Sequence, residues 1–238
     1  MEQQNIKIAV DAIVFGYEKA QLYVLLIKQK FGAYKNTWSL PGGFVLNGEG
    51  LTKAVERELK EEAGIEVDYL EQLYTFGDKV ERDPRGQVIS VAYFALVNPE
   101  NLVLQADTDA KDAQWFPFDD LPILAYDHSI IIQKAIARLQ AKLHYQPIGF
   151  GLLHEEFPFS DLEQLYQTIL GRKIERRNFR KKMLHLGLVM ETEKFRKIGS
   201  GRPARLYRFN QQKYNELEQS KVPIELNLRN LYIKKLDT

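Results

Sequence analysis

The stretch that decides the reading of this chain runs from Gly43 to Ile65, GFVLNGEGLTKAVERELKEEAGI. On a helical wheel at about 100° per residue, Glu58 and Glu62 fall beside Leu51, Val55 and Leu59, on the stripe that should pack. Glu61 and Arg57 lie on its flank, while Lys53, Glu56 and Lys60 occupy the opposite face. A carboxylate on a packing face loses its hydration, which penalises an unpaired charge. Glu58 with Glu61, and Glu58 with Glu62, are also like-charge neighbours one turn apart, which costs helix stability. A cation relieves such a cluster. Three carboxylates converging on one spot suit hard, oxygen-seeking Mg²⁺ or Mn²⁺, held by carboxylates together with substrate phosphates.

The competing reading is a solvated charged helix, and spacing decides against it. The segment fits G-x5-E-x7-R-E-U-x-E-E-x-G-U, where U is bulky and apolar. Gly43, Glu49, Arg57, Glu58, Glu61, Glu62 and Gly64 occupy its strict positions, with Leu59 and Ile65 at U. At ordinary residue frequencies a chance match is on the order of 10⁻⁹ per starting point. This pattern resembles the Nudix box. The resemblance implies an α/β/α sandwich that hydrolyses a nucleoside diphosphate linked to another group. By matching position it implies Glu58, Glu61 and Glu62 as catalytic metal ligands and the Gly43 carbonyl as a further ligand. It also implies Glu49 as electrostatic support for the metal and Arg57 as the residue that orients a glutamate. Metal ions there would neutralise the diphosphate, activate a water and stabilise the leaving phosphate. The catalytic base lies outside the box in many Nudix proteins, and the sequence does not single it out.

Around the box the first half reads as mixed α/β. Strands are expected at Ile6–Phe15 and Leu22–Lys28, joined by a polar Gly16–Gln21 turn, and again at Val67–Phe76 and Val88–Val97. The last is an almost continuous apolar run suited to a central strand. Trp38–Gly43 marks a loop or strand end. Helices are expected at Leu51–Ala63, stopped by Gly64, and at His128–Leu143. The loop Glu81-Arg82-Asp83-Pro84-Arg85-Gly86 resembles that of ADP-ribose pyrophosphatases within the Nudix family. Arg82 and Arg85 are therefore candidates to fork onto phosphate or ribose groups, against the alternative of a plain surface turn. Ala125-Tyr126-Asp127-His128 has the same family look, with His128 read as a helix-start residue rather than a catalyst.

Tyr145-Gln146-Pro147-Ile148-Gly149 breaks the helical pattern and divides the chain into domains 1–146 and 147–238. The division separates charge. Residues 1–146 hold 15 Lys/Arg against 21 Asp/Glu, a balance of −6, and residues 147–238 hold 18 against 11, a balance of +7. A basic half points to a polyanionic partner. In that half a helix capped by Ser160, with Glu163 completing a capping box, runs through Leu170 to Gly171. A second helix, Ile174–Leu186, ends at Gly187. Strands Val189–Phe195 and Ala204–Phe209 then flank a flexible tip, Arg196–Pro203. Helix, turn, helix and hairpin is the order of a winged helix-turn-helix.

Phe179, Met183 and Leu186 should face its core, leaving Arg177, Asn178, Lys181 and His185 outside. Arg172 to Arg208 carries 13 basic residues and 3 acidic ones, a density that fits a phosphate backbone. Arginine and asparagine also read guanine and adenine edges. Arg176, Arg177, Asn178, Arg180, Lys181, Arg202 and Arg205 are the candidate DNA-binding residues. The segment Phe159–Phe209, above all Ile174–Lys182 and Gly201–Phe209, resembles the Nudix-related transcriptional regulators called NrtR, in the same domain order. That resemblance implies a dimeric repressor of NAD-biosynthesis or sugar-use genes with the Nudix domain as effector sensor. Many such regulators carry an eroded box. The intact one here leaves hydrolysis open and favours ADP-ribose, or a related nucleoside diphosphate sugar, over a plain sugar.

Composition narrows the rest. The 238 residues contain no cysteine, which excludes disulfides, thiolate zinc sites and cysteine nucleophiles. No apolar run approaches the roughly 20 residues that span a bilayer, so no membrane partner is expected. Met1–Lys7 is polar and lacks the apolar stretch of a signal peptide, so a cytoplasmic protein is expected. Two functions remain: a regulator that holds a duplex DNA operator and senses ADP-ribose, or a Nudix pyrophosphatase whose basic domain serves another interaction.

Overall fold

The computed structural model describes residues 5–101, 113–197, 201–219, 226 and 228. Its internal contacts divide it into two compact units, Met1–Ile136 and Ala137–Thr238, with the division falling inside a helix.

In the first unit, β1 (Lys7–Glu18) pairs parallel with β6 (Val88–Val97), in register from Lys7↔Val88 to Gly16↔Val97. Both strands read as unbroken apolar runs because both sheet faces are covered. Val10, Ala12 and Val14 join Val91, Tyr93 and Ala95 in one core, while Ile13, Phe15, Phe94 and Leu96, on alternate positions, are buried as well. The path of the sheet is β3-β2-β1-β6-β5, with β4 (Gly42–Phe44) added on β1 and β7 (Gln114–Pro117) on β2. Here β2 is Gln21–Lys28, β3 is Trp38–Ser39 and β5 is Leu70–Phe76. The long Val88–Val97 run takes the interior place its composition demands.

The expected polar turn at Gly16–Gln21 shrinks to two residues. Burial of Tyr17 draws β1 on to Glu18, and Lys19 and Ala20 turn the chain with both φ positive, the backbone of a tight hairpin.

Helix α1 (Leu51–Ala63) lays Ala54, Val55, Leu59 and Ala63 into the core on one sheet face. Gly64, at φ 67°, closes it with its N–H on the Lys60 carbonyl, a left-handed position that glycine adopts without a Cβ penalty. Helix α2 (His128–Lys142) buries Ile131, Ile132, Ala135, Ile136 and Leu139. The unit is an α/β/α sandwich.

In the second unit a small antiparallel sheet runs in the order β8-β10-β9, with β8 Glu156–Pro158, β9 Val189–Arg196 and β10 Ala204–Phe209. Helices α3 (Phe159–Leu170) and α4 (Arg176–His185) pack on it through Phe159, Leu162, Tyr166, Phe179 and Met183. This is a winged helix. A short helix, α5 (Gln211–Gln219), follows β10.

One local expectation in this unit is corrected. Ser160 is not a cap. Helix α3 starts at Phe159, two residues ahead of the start that a Ser160 cap implies, because Phe159 turns into the core against Phe179 and Tyr207. Pro158 holds the N-cap without a side-chain bond, and Ser160 donates to its neighbour Asp161. The side-chain cap belongs to α4 instead, where the Glu175 carboxylate accepts from the Arg177 and Asn178 N–H groups at 3.0 and 2.8 Å. Of the expected flexible tip, residues 198–200 lie outside the described residues.

Candidate functional site

Glu58 and Glu62 face the core side of α1, as the wheel requires, and Glu61 stands exposed at its edge. Strand β4 brings the backbone of Gly42 and Gly43 against them. A Cβ on Gly43 would sit 2.3 Å from Glu58 Oε1 and push that carboxylate aside, and one on Gly42 would meet the Val10 backbone carbonyl at 2.2 Å, so at Gly42 only glycine lets the chain pass this close. The Gly42 N–H donates to Glu62 Oε2 at 2.8 Å. Arg57 gathers the rest. Its Nε and Nη2 donate to Glu49 at 2.8 and 3.0 Å, its Nη1 to Glu58 at 2.6 Å and Glu61 at 3.3 Å, and Nη2 reaches the Phe44 carbonyl at 3.1 Å.

The electrostatics follow from these contacts. The Arg57 hydrogen bonds pull the Glu49 carboxyl down to about 2. Burial raises the Glu58 pKa against the opposing pull of Arg57. Burial pushes Glu62 up to about 8, helped by Glu58, Asp11 and Glu61 and opposed by the Gly42 N–H. No cation pairs with Glu62 among the described residues. A buried carboxyl in that position is stabilised as an anion by an added cation, and the carboxylates of Glu58 and Glu61 that line the same cavity offer oxygen donors, the chemistry of a hard divalent ion. As they stand, no three acidic or histidine side chains among the described residues are close enough together to hold an ion, because Arg57 keeps Glu58 and Glu61 on itself.

Glu58, Glu61 and Glu62 line a cavity of about 460 Å³ together with Arg85, Tyr126 and Phe31. A neighbouring cavity of about 240 Å³ shares Glu58, Glu62, Arg85 and Tyr126 and adds Asp11 and His128. The two loop arginines behave differently. Arg85 is half-exposed, with its guanidinium over Phe44 at 4.4 Å and Tyr126 at 5.2 Å and paired with Asp83 at 2.6 Å. Its Nε and Nη2 both donate to Asp83, at 2.9 and 2.6 Å, which holds the half-exposed guanidinium at the mouth of the acid cleft. Arg82 is buried at 7% exposure and donates twice to Asp127, at 2.9 and 2.6 Å. The expectation of a free Arg82 fork is therefore not what the geometry offers, since both donors are satisfied inside the fold.

Sequence reasoning missed the network that Arg82 belongs to. Asp11 accepts from Ser90 and lies 3.7 Å from Arg82 and 3.4 Å from His128 Nε2. Burial works to raise the Asp11 pKa, and His128, Ser90 and Arg82 together outweigh it and hold the carboxyl below its ordinary range. His128 opens α2, as expected, and its Nδ1 accepts from the Leu40 N–H at 2.9 Å. That bond places the proton on Nε2, toward Asp11, and leaves no free nitrogen for a base. The available signal was an aspartate in the middle of the apolar run Ile8–Phe15. Tyr126, in left-handed backbone at φ 54° between Ala125 and Asp127, shows in the sequence only as part of a family-like loop.

On the second unit all seven candidate DNA-binding residues are exposed, and they fall into two groups. The side chains of Arg177, Asn178, Lys181 and Arg202 have no partner among the described residues. Arg176 pairs with Glu163 at 3.1 Å. Arg180 lies 3.7 Å and Arg205 2.5 Å from Glu191. Phe179 and Met183 are fully buried, and Leu186 only partly.

Residues 6–139 match the NUDIX domain family and residues 149–209 the NrtR DNA-binding winged helix domain. The ADPR responsive transcriptional repressor NtrR of Acinetobacter baylyi is 37% identical over 210 residues, covering 87% of this chain and 83% of that protein. The crystal structure of Shewanella oneidensis NrtR complexed with a 27mer DNA superposes with a TM-score of 0.78 at 32% identity, covering 87% of this chain and 95% of that one. The NUDIX domain of the same NrtR, solved with ADP ribose, gives a TM-score of 0.52 at 35% identity, covering 58% and 90%. Nudix hydrolases as a family use divalent metal ions. With both domains matched in order and a relative of this identity over most of the chain, the protein belongs to the NrtR family of Nudix-related transcriptional regulators.

Proposed function

We propose that this protein is a transcriptional repressor that holds an operator through its winged helix and loosens that hold when ADP-ribose, or a closely related nucleoside diphosphate sugar, enters the Nudix cleft. The observation that carries the reading is the cleft itself: Glu58, Glu61 and Glu62 share one cavity with Arg85 and Tyr126, on a chain whose other unit presents a basic helix and wing. A diphosphate needs a metal-binding acid group on one side and a guanidinium fork on the other. The printed name of the Acinetobacter baylyi relative and the ligand of the Shewanella oneidensis NUDIX domain support the same choice.

In this reading the sensor spans residues 1–146 and the reader residues 147–238. Glu58, Glu61, Glu62 and the Gly43 carbonyl hold Mg²⁺ or Mn²⁺, while Glu49 and Arg57 order them. Arg85 takes a phosphate, and Arg82 keeps its loop in place from below. Arg177, Asn178, Lys181 and Arg202 contact DNA directly, joined by Arg176, Arg180 and Arg205. One winged helix supplies one reading element, and a specific site usually needs two, so the protein acts as a homodimer on a two-fold operator. It works in the cytoplasm, with no membrane partner.

The intact acid set also favours slow hydrolysis. The bound metal would polarise the diphosphate and generate the nucleophile. Water then adds to one phosphorus, the bridging P–O bond breaks, and AMP and ribose 5-phosphate leave.

The test is an operator titration by fluorescence anisotropy with and without ADP-ribose, using Glu61→Gln with Glu62→Gln if the wild type consumes the ligand. A coupling of about 1–3 kcal/mol predicts an affinity lowered some 5–150-fold, and DNA must weaken ADP-ribose binding by the same factor. An operator affinity unchanged at saturating ADP-ribose would remove it as the effector and turn attention to sugars and sugar phosphates.

A further inference from the structure

We propose that Glu191 is a positioning residue of the DNA-reading face, which holds Arg180 and Arg205 back from the phosphates of non-specific duplex DNA. The inference rests on the DNA-binding reading above and adds to it a restraint that the basic composition alone would not suggest.

The geometry is a small node between recognition helix and wing. Glu191 lies on β9, directly across from Tyr207 on β10. Tyr207 is buried at 2% exposure and donates its hydroxyl hydrogen to Glu191 Oε1 at 3.1 Å, which anchors the carboxylate on a rigid strand. Arg205 Nη1 lies 2.5 Å from Glu191 Oε2. Arg180, from α4, donates to the Tyr207 hydroxyl and stands 3.7 Å from Glu191 Oε1. The strand register shifts between Arg205 and Tyr207, and a bulge of this kind re-aims the side chains beside it. Arg205 consequently stacks over Phe195, its direct cross-strand neighbour, at 5.3 Å, and still reaches Glu191. One anion therefore collects a cation from the helix and a cation from the wing.

All three charged groups are about half exposed, and exposed ion pairs add little to stability. Their effect is on binding. An arginine must leave its carboxylate to take a phosphate, so each phosphate contact made by Arg180 or Arg205 loses part of its Coulomb gain. On random sequence, where phosphate contacts supply essentially all the affinity, this restraint weakens binding.

The experiment compares wild type, Glu191→Gln and Glu193→Gln on a random-sequence duplex across a salt series, with thermal unfolding as a check on the fold. Glu193 is an exposed acid on the same strand with no side-chain partner among the described residues, so its variant removes an equal charge without freeing an arginine. Each freed cation that pairs with a phosphate steepens the plot of log K against log salt by about 0.9. Glu191→Gln is expected to steepen it by about 1–2 and to bind the random duplex more tightly than Glu193→Gln does, at an unchanged Tm. Equal slopes for the two variants would overturn the proposal alone. A wild type that binds no duplex at all would overturn the DNA-binding reading, and this proposal with it.

Discussion

In the Nudix unit Arg82, Asp11, Asp127 and His128 are all withdrawn from water and partnered: Arg82 by Asp127, and Asp11 by His128 and Ser90. The winged-helix unit does the reverse. The candidate DNA-binding cations of α4 and the wing stay outside, Arg177, Lys181 and Arg202 without a side-chain partner among the described residues, while the core encloses the Tyr166 hydroxyl with no hydrogen-bond partner among those residues either. The contrast follows from what each surface does. A cleft that binds a diphosphate has to hold charged side chains at fixed positions against mutual repulsion, and buried hydrogen-bonded pairs do that even where they add little net stability. A face that meets a long polyanion needs charge it can deploy, and burying it would spoil that use. If the comparison is right, substitutions in the first unit act through geometry and stability, and those in the second through affinity at constant stability.

The largest effect is expected at Arg82. Replacing it by alanine strands Asp127 and weakens the hold on Asp11, and breaking a buried pair from one side costs about 3–5 kcal/mol. Urea unfolding should show the Nudix transition moved to lower denaturant, with the winged-helix transition in place. A variant with wild-type midpoints would mean that the pair is not buried in solution, and the contrast between the units would go with it.

Next come the cleft acids. Losing even an outer partner of a metal site reduces activity or affinity by about 10–100-fold, so Glu61→Gln with Glu62→Gln should lower ADP-ribose cleavage in Mg²⁺ or Mn²⁺ by at least about a hundredfold. The melting temperature should hold or rise, since the change removes a carboxyl that burial, helped by the neighbouring charges of Glu58, Asp11 and Glu61, pushes up to about 8. Phosphate release from wild type and variant gives the answer. No cleavage by the wild type with any metal would refute catalysis and leave the cleft as a sensor.

Smaller effects belong to the basic face. Arg177→Ala should weaken operator binding by roughly 1–3 kcal/mol if the side chain reads a base. Arg202→Ala should flatten the salt dependence by about one phosphate contact. Neither should alter unfolding. Two variants that bind like wild type across a salt titration would show the DNA-binding face to lie elsewhere.

The two units also differ in how much of them the sequence discloses. The acid helix is legible to the residue, Leu51 to Ala63, because the Nudix box fixes both residue type and interval. The strand Val88–Val97 is equally plain, since burial on both faces leaves no polar alternation to misread. Ser160 misleads because an N-cap signal is local, whereas the start of α3 is set by the fit of Phe159 into the core. Arg82 and Arg85 look interchangeable in a short turn. Only the fold shows that Asp127, 45 residues on, draws one of them inside. Glu191 among so many basic residues gives no sign of its role, which depends on a cross-strand neighbour and a bulge.

The smallest expected effect is the sharpest test of the contrast, and it concerns Tyr166. The ring is fully buried, 5.0 Å from that of Phe179, and burial lifts its hydroxyl well above the usual tyrosine range. A buried hydroxyl without a partner loses its bonds to water on folding and regains nothing, a penalty of about 1–3 kcal/mol. Tyr166→Phe removes that penalty and keeps the ring, at the expense of the few dispersion contacts made by one oxygen. The two nearly cancel, so stability should change by less than about 1 kcal/mol, with the balance toward gain, and DNA affinity should stay the same. The measurement is the urea midpoint of the winged-helix transition at constant m, since a changed m would signal an altered denatured state instead. A loss of more than about 1 kcal/mol would mean that the hydroxyl is bonded in solution, and that the winged-helix core keeps a satisfied polar group as the Nudix core does.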